Sequence, residues 1–262
     1  MGGTRMIRKY IALLRMKYIE MLAYRLATFV WMTGAITQPL ITMFVWMNIH
    51  PEESESFLFY FMAVIFVERM TSAWDVWELD REIREGTFSN LLLRPLHPIH
   101  WAIAENIVYK WLFAVILVPV WLVGAVFWPA LRPHMTAGQA VLFLAAVVLG
   151  AALRFLLSYS CGLFAFWVTK VAAVYGVIDV ISLFLSGRIA PLEFLPPMLR
   201  EWSEWLPFRY MISFPIEIAT GAADGGELAR GFAAAAGWMA VFVAGVQWLW
   251  KAGMRKNQAV GG

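Results

Sequence analysis

Six apolar stretches dominate this sequence, at about 26–47, 57–77, 107–128, 139–160, 171–187 and 232–250. A helix needs about 20 mostly apolar residues to cross the roughly 30 Å hydrocarbon core of a bilayer. Inside that core each segment must satisfy its own backbone N–H and C=O groups, so runs of this length are read as transmembrane helices. Composition agrees. Apolar residues make up 61% of the chain and charged residues 15%, against about 25% charged in a soluble domain. Fourteen Trp and 19 Phe exceed what one water-soluble core of 262 residues could hide. The expected class is an all-α polytopic membrane protein with six transmembrane helices, 26–250.

The single cysteine, Cys161, excludes a disulfide scaffold and any multi-cysteine zinc or iron–sulfur site. The first apolar run is too long for a signal-peptide core and lacks a small-residue cleavage site, so it is read as a retained span. Charge then sets orientation. Residues 1–25 carry Arg5, Arg8, Lys9, Arg15, Lys17 and Arg25 against Glu20, and the tail 251–262 carries Lys251, Arg255 and Lys256. In so apolar a chain these basic patches mark a cytoplasmic membrane face rather than a nucleic-acid partner.

Six crossings put both termini on one side. With that side cytoplasmic, the inside segments hold fourteen Lys/Arg: the nine just named with Arg81, Arg84, Arg94, Lys110 and Lys170. The outside segments hold five: Arg132, Arg188, Arg200, Arg209 and Arg230. The positive-inside rule therefore places both termini in the cytoplasm, in the cell membrane. The first outside loop agrees, carrying Glu52, Glu53 and Glu55 and no base.

Before the first span, Ile7, Tyr10, Ile11, Leu14, Tyr18, Met21 and Leu22 recur at helical spacing, with Arg8, Lys9, Arg15 and Lys17 largely off the stripe. Such a basic amphipathic helix, 1–25, lies in the membrane interface with its ammonium groups toward lipid phosphates.

Two connections are long. The cytoplasmic stretch 78–106 opens with a charge-dense helical pattern (Glu78, Asp80, Arg81, Glu82, Arg84, Glu85) and continues into Phe88, Leu91, Leu92 and Leu93. Gly86-Thr87 can break or kink it, and Arg94-Pro95 and His97-Pro98 force an extended turn. A short helix held at the membrane by an apolar end, with charge toward the cytosol, suits docking to a soluble partner; an ordinary solvated loop carries the same charges. The outside stretch, about 188–225, has a helical stripe of Leu192, Leu195, Met198, Leu199, Trp202, Trp205 and Leu206, then a second apolar piece broken by Pro207 and Pro215. Neither crosses. Together they read as a re-entrant hairpin in the outer leaflet, sheltered by protein or lining a wet cavity.

The sequence has no GxxxxGK[ST], HExxH or GxSxG motif. Leu185-Ser186-Gly187 only superficially matches an ATPase signature, since it ends a span. His97 and His100 lack a third ligand and read as loop residues rather than a metal site. Gly221 and Gly225 fit GxxxG only in letters, outside a span. The ionisable residues assigned to spans are Glu68, Arg69, Arg154 and Asp179. At about 1.5 Å per residue, Arg69 lies roughly 18 Å and Arg154 roughly 22 Å from the outer boundary, with Asp179 roughly 12 Å from the inner one. An Arg154–Asp179 pair is geometrically possible, as a polar clasp or as part of a substrate or gating element.

The layout resembles the ABC-2-type permeases, the membrane subunits of ABC exporters with the ABCG-like fold. It is most similar to bacterial half-size permeases that work with a separate ATPase of the daunorubicin-resistance type. The likeness is carried by Ile83-Arg84-Glu85-Gly86-Thr87 with Leu91-Leu92-Leu93-Arg94-Pro95-Leu96. Ser186-Gly187 with Pro191, Leu206-Pro207-Phe208, Pro215, Gly221 and the opening Tyr24-Arg25 add to it. The resemblance implies a coupling helix at about 79–94, with Arg81, Glu82, Arg84, Glu85, Gly86, Thr87 and Arg94 meeting a soluble ABC ATPase. It implies two permease subunits, identical or related, and two ATPase subunits, with ATP and Mg bound only in the ATPase and no cofactor or catalytic residue in this chain.

It also puts spans one, two and five around the pathway. There Thr33, Gln38, Thr42, Tyr60 and Ser182 are candidate lining or dimer residues, because polar groups on apolar helices face protein or water rather than lipid. The competing readings are an ion-gradient-driven secondary transporter, which would show inverted repeats that halves 26–128 and 139–250 lack, and an intramembrane enzyme, which would need a reactive cluster inside the spans.

Overall fold

The computed structural model describes residues 2–257. These residues are predominantly helical, 84% in helix, and contain no strand. Helix α1 (Gly2–Ala23) leads through Tyr24 into α2 (Arg25–Ile49), and α3 (Ser54–Thr71) returns. After a three-residue break come α4 (Asp75–Arg84) and α5 (Phe88–Leu92), then the long α6 (Pro98–Phe127) and α7 (Ala137–Leu163). The short apolar α8 (Val171–Leu185) precedes α9 (Pro197–Trp205), α10 (Phe208–Met211) and α11 (Ser213–Thr220), and α12 (Gly225–Lys256) closes the chain. Five helical segments are long and apolar enough to cross a membrane, and α8 is a shorter sixth. The chain is a multi-pass α-helical membrane protein.

Several helix ends differ from the sequence expectation, each for a local reason. The second apolar segment, Pro51–Arg84, is broken within the expected span 57–77: α3 stops at Thr71, and a separate helix starts at Asp75. Helix α6 begins at Pro98 instead of 107, because proline fits the first turn of a helix and His97 caps it, accepting from the Ile99 N–H. Helix α12 begins at Gly225 instead of 232, where Asp224 and Glu227 form a reciprocal capping box. Helix α8 has 15 residues, so at about 1.5 Å each it is roughly 22 Å long and falls short of a 30 Å core.

Helix α7 is the hub, packed by α3, α4, α10, α11 and α12. The hairpin 188–225 does not rest on the bundle but is wedged into it. Phe208, Tyr210, Met211, Ile212, Phe214 and Ile216 are all buried in the main core with Phe57, Phe61 and Val64 of α3. This shelters the irregular backbone between α9 and α11, as any such segment at membrane depth requires.

Helix α1 is docked on α6 through Leu13, Leu14, Leu96, Trp101 and Ala104. Its apolar stripe is thereby split. Tyr10 and Leu14 face protein, while Ile7, Ile11, Tyr18 and Leu22 stay exposed. Lys17 does not reach toward lipid phosphate. Its Nζ sits 2.6 Å from Glu105 and 3.2 Å from Glu20. Burial alone would lower its pKa, but the two carboxylates outweigh burial and hold the ammonium above its ordinary value.

Candidate functional site

Three polar regions stand out, at the middle of the bundle, at the end carrying both chain ends, and at the hairpin end. In the middle, the expected four ionisable side chains come together and a fifth joins them. Arg154 Nη2 lies 3.0 Å from Asp179 Oδ1, and Arg188 Nη1 lies 3.3 Å from the same oxygen. Arg188 Nη2 reaches Glu68 Oε1 at 2.5 Å, and Arg69 Nη2 reaches that oxygen at 3.2 Å. Three guanidinium groups thus share two carboxylates.

Arg188, counted above with the outside loop, belongs to this cluster instead. Helix α8 stops short, Gly187 turns the chain in the left-handed region (φ 86°), and Arg188 folds back against α3. Among the buried polar atoms of this cluster, Glu68 Oε2, Arg69 Nε, Arg154 Nη1 and Arg188 Nε have no hydrogen-bond partner. The side chain of Asp179 is 40% exposed, whereas that of Glu68 is 3% exposed.

At the end carrying both chain ends, the 72–74 break is clamped by groups the intramembrane list above omitted. Lys110 Nζ donates to the Ser72 carbonyl and to Asn106 Oδ1, both at 2.9 Å. Asn106 Nδ2 donates to both oxygens of Asp75, at 3.1 and 3.2 Å. The Val76 N–H donates to Ser158 Oγ of α7 at 3.1 Å. The available signal was Asn106 and Lys110 four apart at the head of an apolar run, which places them on one helix face.

Beyond the clamp, α4 turns Asp75, Val76, Leu79 and Asp80 inward. Leu79 and Val76 press on Gly162 of α7, where an added Cβ would lie 2.7 Å from Leu79 Cδ1 and 3.1 Å from Val76 Cα. The opposite face presents Trp77, Arg81 and Glu85. Arg84 is paired with Asp80 at 3.1 Å, and Glu82 is half-buried. Gly86 adopts φ 73°, which ends α4, and Thr87 Oγ1 donates to the Glu82 carbonyl at 3.3 Å.

The anchor after the turn is Phe88, 1% exposed against Phe166 and Trp250, with Leu91 beside it. Leu93, expected to anchor the helix end in the membrane, is 86% exposed, as a lipid-facing side chain is. Arg94 lies 4.2 Å above the Trp101 ring, a cation–π contact that holds it on α6. His97 packs on Trp250 with the rings tilted 48° and His100 contacts the Tyr10 hydroxyl, so both are used in packing. Burial and the neighbouring His100 lower the His97 pKa.

The candidate lining residues divide. On α2, Thr33 Oγ1 donates to the Val30 carbonyl at 3.0 Å, while Thr42 Oγ1 donates to the Gln38 carbonyl and accepts from Gln38 Nε2. Tyr60 and Ser182 lie inside the subunit, at 8% and 4% exposure, rather than on an open face. Tyr60 donates to the Gly187 carbonyl at 2.7 Å and so supports the Arg188 turn. At the hairpin end a cavity of about 1150 Å³ opens between the hairpin and the ends of α3 and α12, lined in part by Glu193, Arg200, Arg230 and Trp238. Its Arg209 and Glu217 staple α10 to α11 at 2.7 Å.

No curated protein matches the chain. The family model described as "ABC-2 family transporter protein" does match, over residues 52–261, from the start of α3 through α12. That span contains the charged cluster, the clamp, α4 and the hairpin, and the chain belongs to this family, as a permease subunit of an ABC transporter.

Proposed function

We propose that this permease is the membrane half of an ATP-driven exporter and works as a dimer. In this reading both chain ends face the cytoplasm and a soluble ATPase, which binds ATP and Mg, docks on the exposed face of α4. The single observation that carries the proposal is the two-sidedness of α4. One face is locked to α7 through Val76, Leu79 and Gly162, and the other offers Trp77, Arg81 and Glu85. A push on such a helix passes directly to the hub of the bundle, because close-packed interiors transmit displacement instead of absorbing it.

Arg81 and Glu85 are the side chains available for charge-assisted bonds to the ATPase. Arg84 is tied to Asp80, and Arg94 is held on Trp101. Spans α2, α3 and α8 then flank the pathway, with the re-entrant hairpin above it.

The test measures ATPase activity and transport in one reconstituted complex. Glu85→Ala removes a docking charge, and Gly86→Val places a β-branched residue at φ 73°, which L side chains avoid. Both variants are expected to insert normally but to lose transport and ATPase stimulation, while Glu53→Ala at the opposite end behaves as wild type. If the α4 variants match that control, α4 is a solvated loop helix and the coupling proposal fails. Transport by the purified chain alone under an ion gradient would overturn the ATP-driven reading.

A further inference from the structure

The charge count in the middle of the bundle does not close. Among the described residues, Arg69, Arg154 and Arg188 form ion pairs only with Glu68 and Asp179, with the Tyr109 and Tyr175 hydroxyls beside Arg69 and Arg154, which leaves one positive charge in excess in a region where charge is expensive. Hydrogen bonding is also incomplete. Each of the three arginines keeps a buried N–H nitrogen without a partner, and residue Arg154 is only 8% exposed. Buried polar groups in folded proteins are nearly always satisfied, so these nitrogens are donors that an acceptor reaching them would engage.

The two carboxylates are not equivalent. Glu68 is enclosed, with its Oε1 held by Arg69 and Arg188. Asp179 meets Arg154 and Arg188 through Oδ1 alone, and its side chain is 40% exposed. Along α8 it lies beside Gly176 and Leu183, one turn away on either side, and Leu183 leads on to the exposed Val180 and Phe184. Turning the Asp179 side chain outward would free two forked donors beside an apolar wall.

We propose that Arg154 and Arg188 form an intramembrane oxyanion site for the phosphate or carboxylate headgroup of an amphiphile. Asp179 occupies the site when it is empty, and the hydrocarbon tail lies along Leu183, Val180 and Phe184. An incoming anion takes over the donors that Asp179 releases; with Asp179 turned out, a dianionic phosphate cancels the two uncovered positive charges, while a carboxylate restores the excess of one. Guanidinium forks suit both headgroups, because two parallel N–H groups match two oxygens. Binding at this site requires this chain alone. That the ligand is cargo rests on the permease reading, which would make acidic amphiphiles the exported class.

The experiment titrates the purified permease in a neutral maltoside detergent with dodecyl phosphate, dodecanoate, inorganic phosphate and dodecylphosphocholine. Binding is read by calorimetry and by the shift in thermal unfolding. Dodecyl phosphate and dodecanoate are expected to bind and to stabilise, with inorganic phosphate and the zwitterion at least about tenfold weaker, since one lacks the tail and the other carries its own cation.

Asp179→Asn removes the internal competitor and should tighten dodecyl phosphate about tenfold, with the ligand restoring any stability the substitution costs. Arg154→Gln should abolish binding; should that variant not fold, Asp179→Asn still decides. Absence of binding in both the wild type and Asp179→Asn overturns the proposal, as does an affinity untouched by both substitutions. Equal binding of inorganic phosphate overturns the amphiphile assignment. Because no ATPase is present, failure here is distinct from failure of the α4 coupling test.

Discussion

Two polar clusters hold α3 and its continuation in place, and they are built in opposite ways. The clamp at the 72–74 break uses one acid, one base and a neutral amide between them. Asp75, Asn106 and Lys110 form a chain in which each charged group meets its counterpart's side of the amide, and Lys110 also takes the free Ser72 carbonyl. The cluster around Arg154 uses five charges, three of them positive, and leaves polar atoms on both Glu68 and the arginines unmet. Balanced and closed, the first reads as a joint. The second is unbalanced and open at Asp179, which suits a group that exchanges partners. Burial does not separate them, since Asp75 is as buried as Glu68; stoichiometry does.

The comparison breaks most sharply at Glu68. Glu68→Gln removes the carboxylate that Arg69 and Arg188 share and raises the buried excess from one positive charge to two. Breaking a buried ion pair from one side typically costs about 3–5 kcal/mol. Unfolding in mixed micelles should show a loss of that size, larger than for any single change in the clamp. A loss below about 1 kcal/mol would mean that water already solvates the cluster.

At the clamp, Asp75→Ala strands Asn106 and Lys110 and should cost about 1–3 kcal/mol, the usual penalty for an unmet buried group. Adding Lys110→Met is expected to recover part of this, because removing both charges of a balanced set leaves little behind. Recovery should be smaller for Glu68→Gln combined with Arg188→Met, which returns the excess to one positive charge but leaves Arg69 without the carboxylate it pairs with. If both double variants recover equally, the two clusters are alike and the distinction drawn here is wrong.

Much of this was legible in the sequence, and the misses have physical causes. Long apolar runs announce helices because a bilayer demands them, and charge bunching announces α4. The Arg154–Asp179 proximity follows from counting residues along adjacent spans. Arg188 was unreadable by the positive-inside rule, which assigns a loop arginine to the water on its side. The usable signal was the length of α8: 15 residues cannot span about 30 Å, so the chain after it has to turn inside the membrane. The break at 72–74 contains no Gly or Pro and depends on partners 30 to 90 residues away, Asn106, Lys110 and Ser158, which no local pattern reveals. By contrast, Pro98 and the Asp224–Glu227 box are ordinary helix starts that lie in polar sequence ahead of the apolar runs, so apolar periodicity alone does not reach them.

The smallest expected effect concerns a third polar contact, the Lys17 pair that fastens α1 to α6. With Glu105 at 2.6 Å and Glu20 at 3.2 Å, Lys17 has a pKa raised above its ordinary value of about 10.4. A folded-state pKa above the unfolded one means the stabilisation is fully present below the unfolded value and is lost as pH rises through the folded one. Docking of α1 should therefore be flat from neutral pH up to the ordinary lysine range and weaken only above it. Replacing Glu105 by Gln removes the largest raising influence and leaves burial, which lowers, so the weakening should begin at lower pH. A nitroxide introduced at the exposed Ile11 would report undocking as increased mobility along an alkaline titration. A profile that ignores Glu105→Gln would show that Leu13, Trp101 and Ala104 hold α1 by apolar contact alone, and that its charged seam contributes nothing measurable to docking.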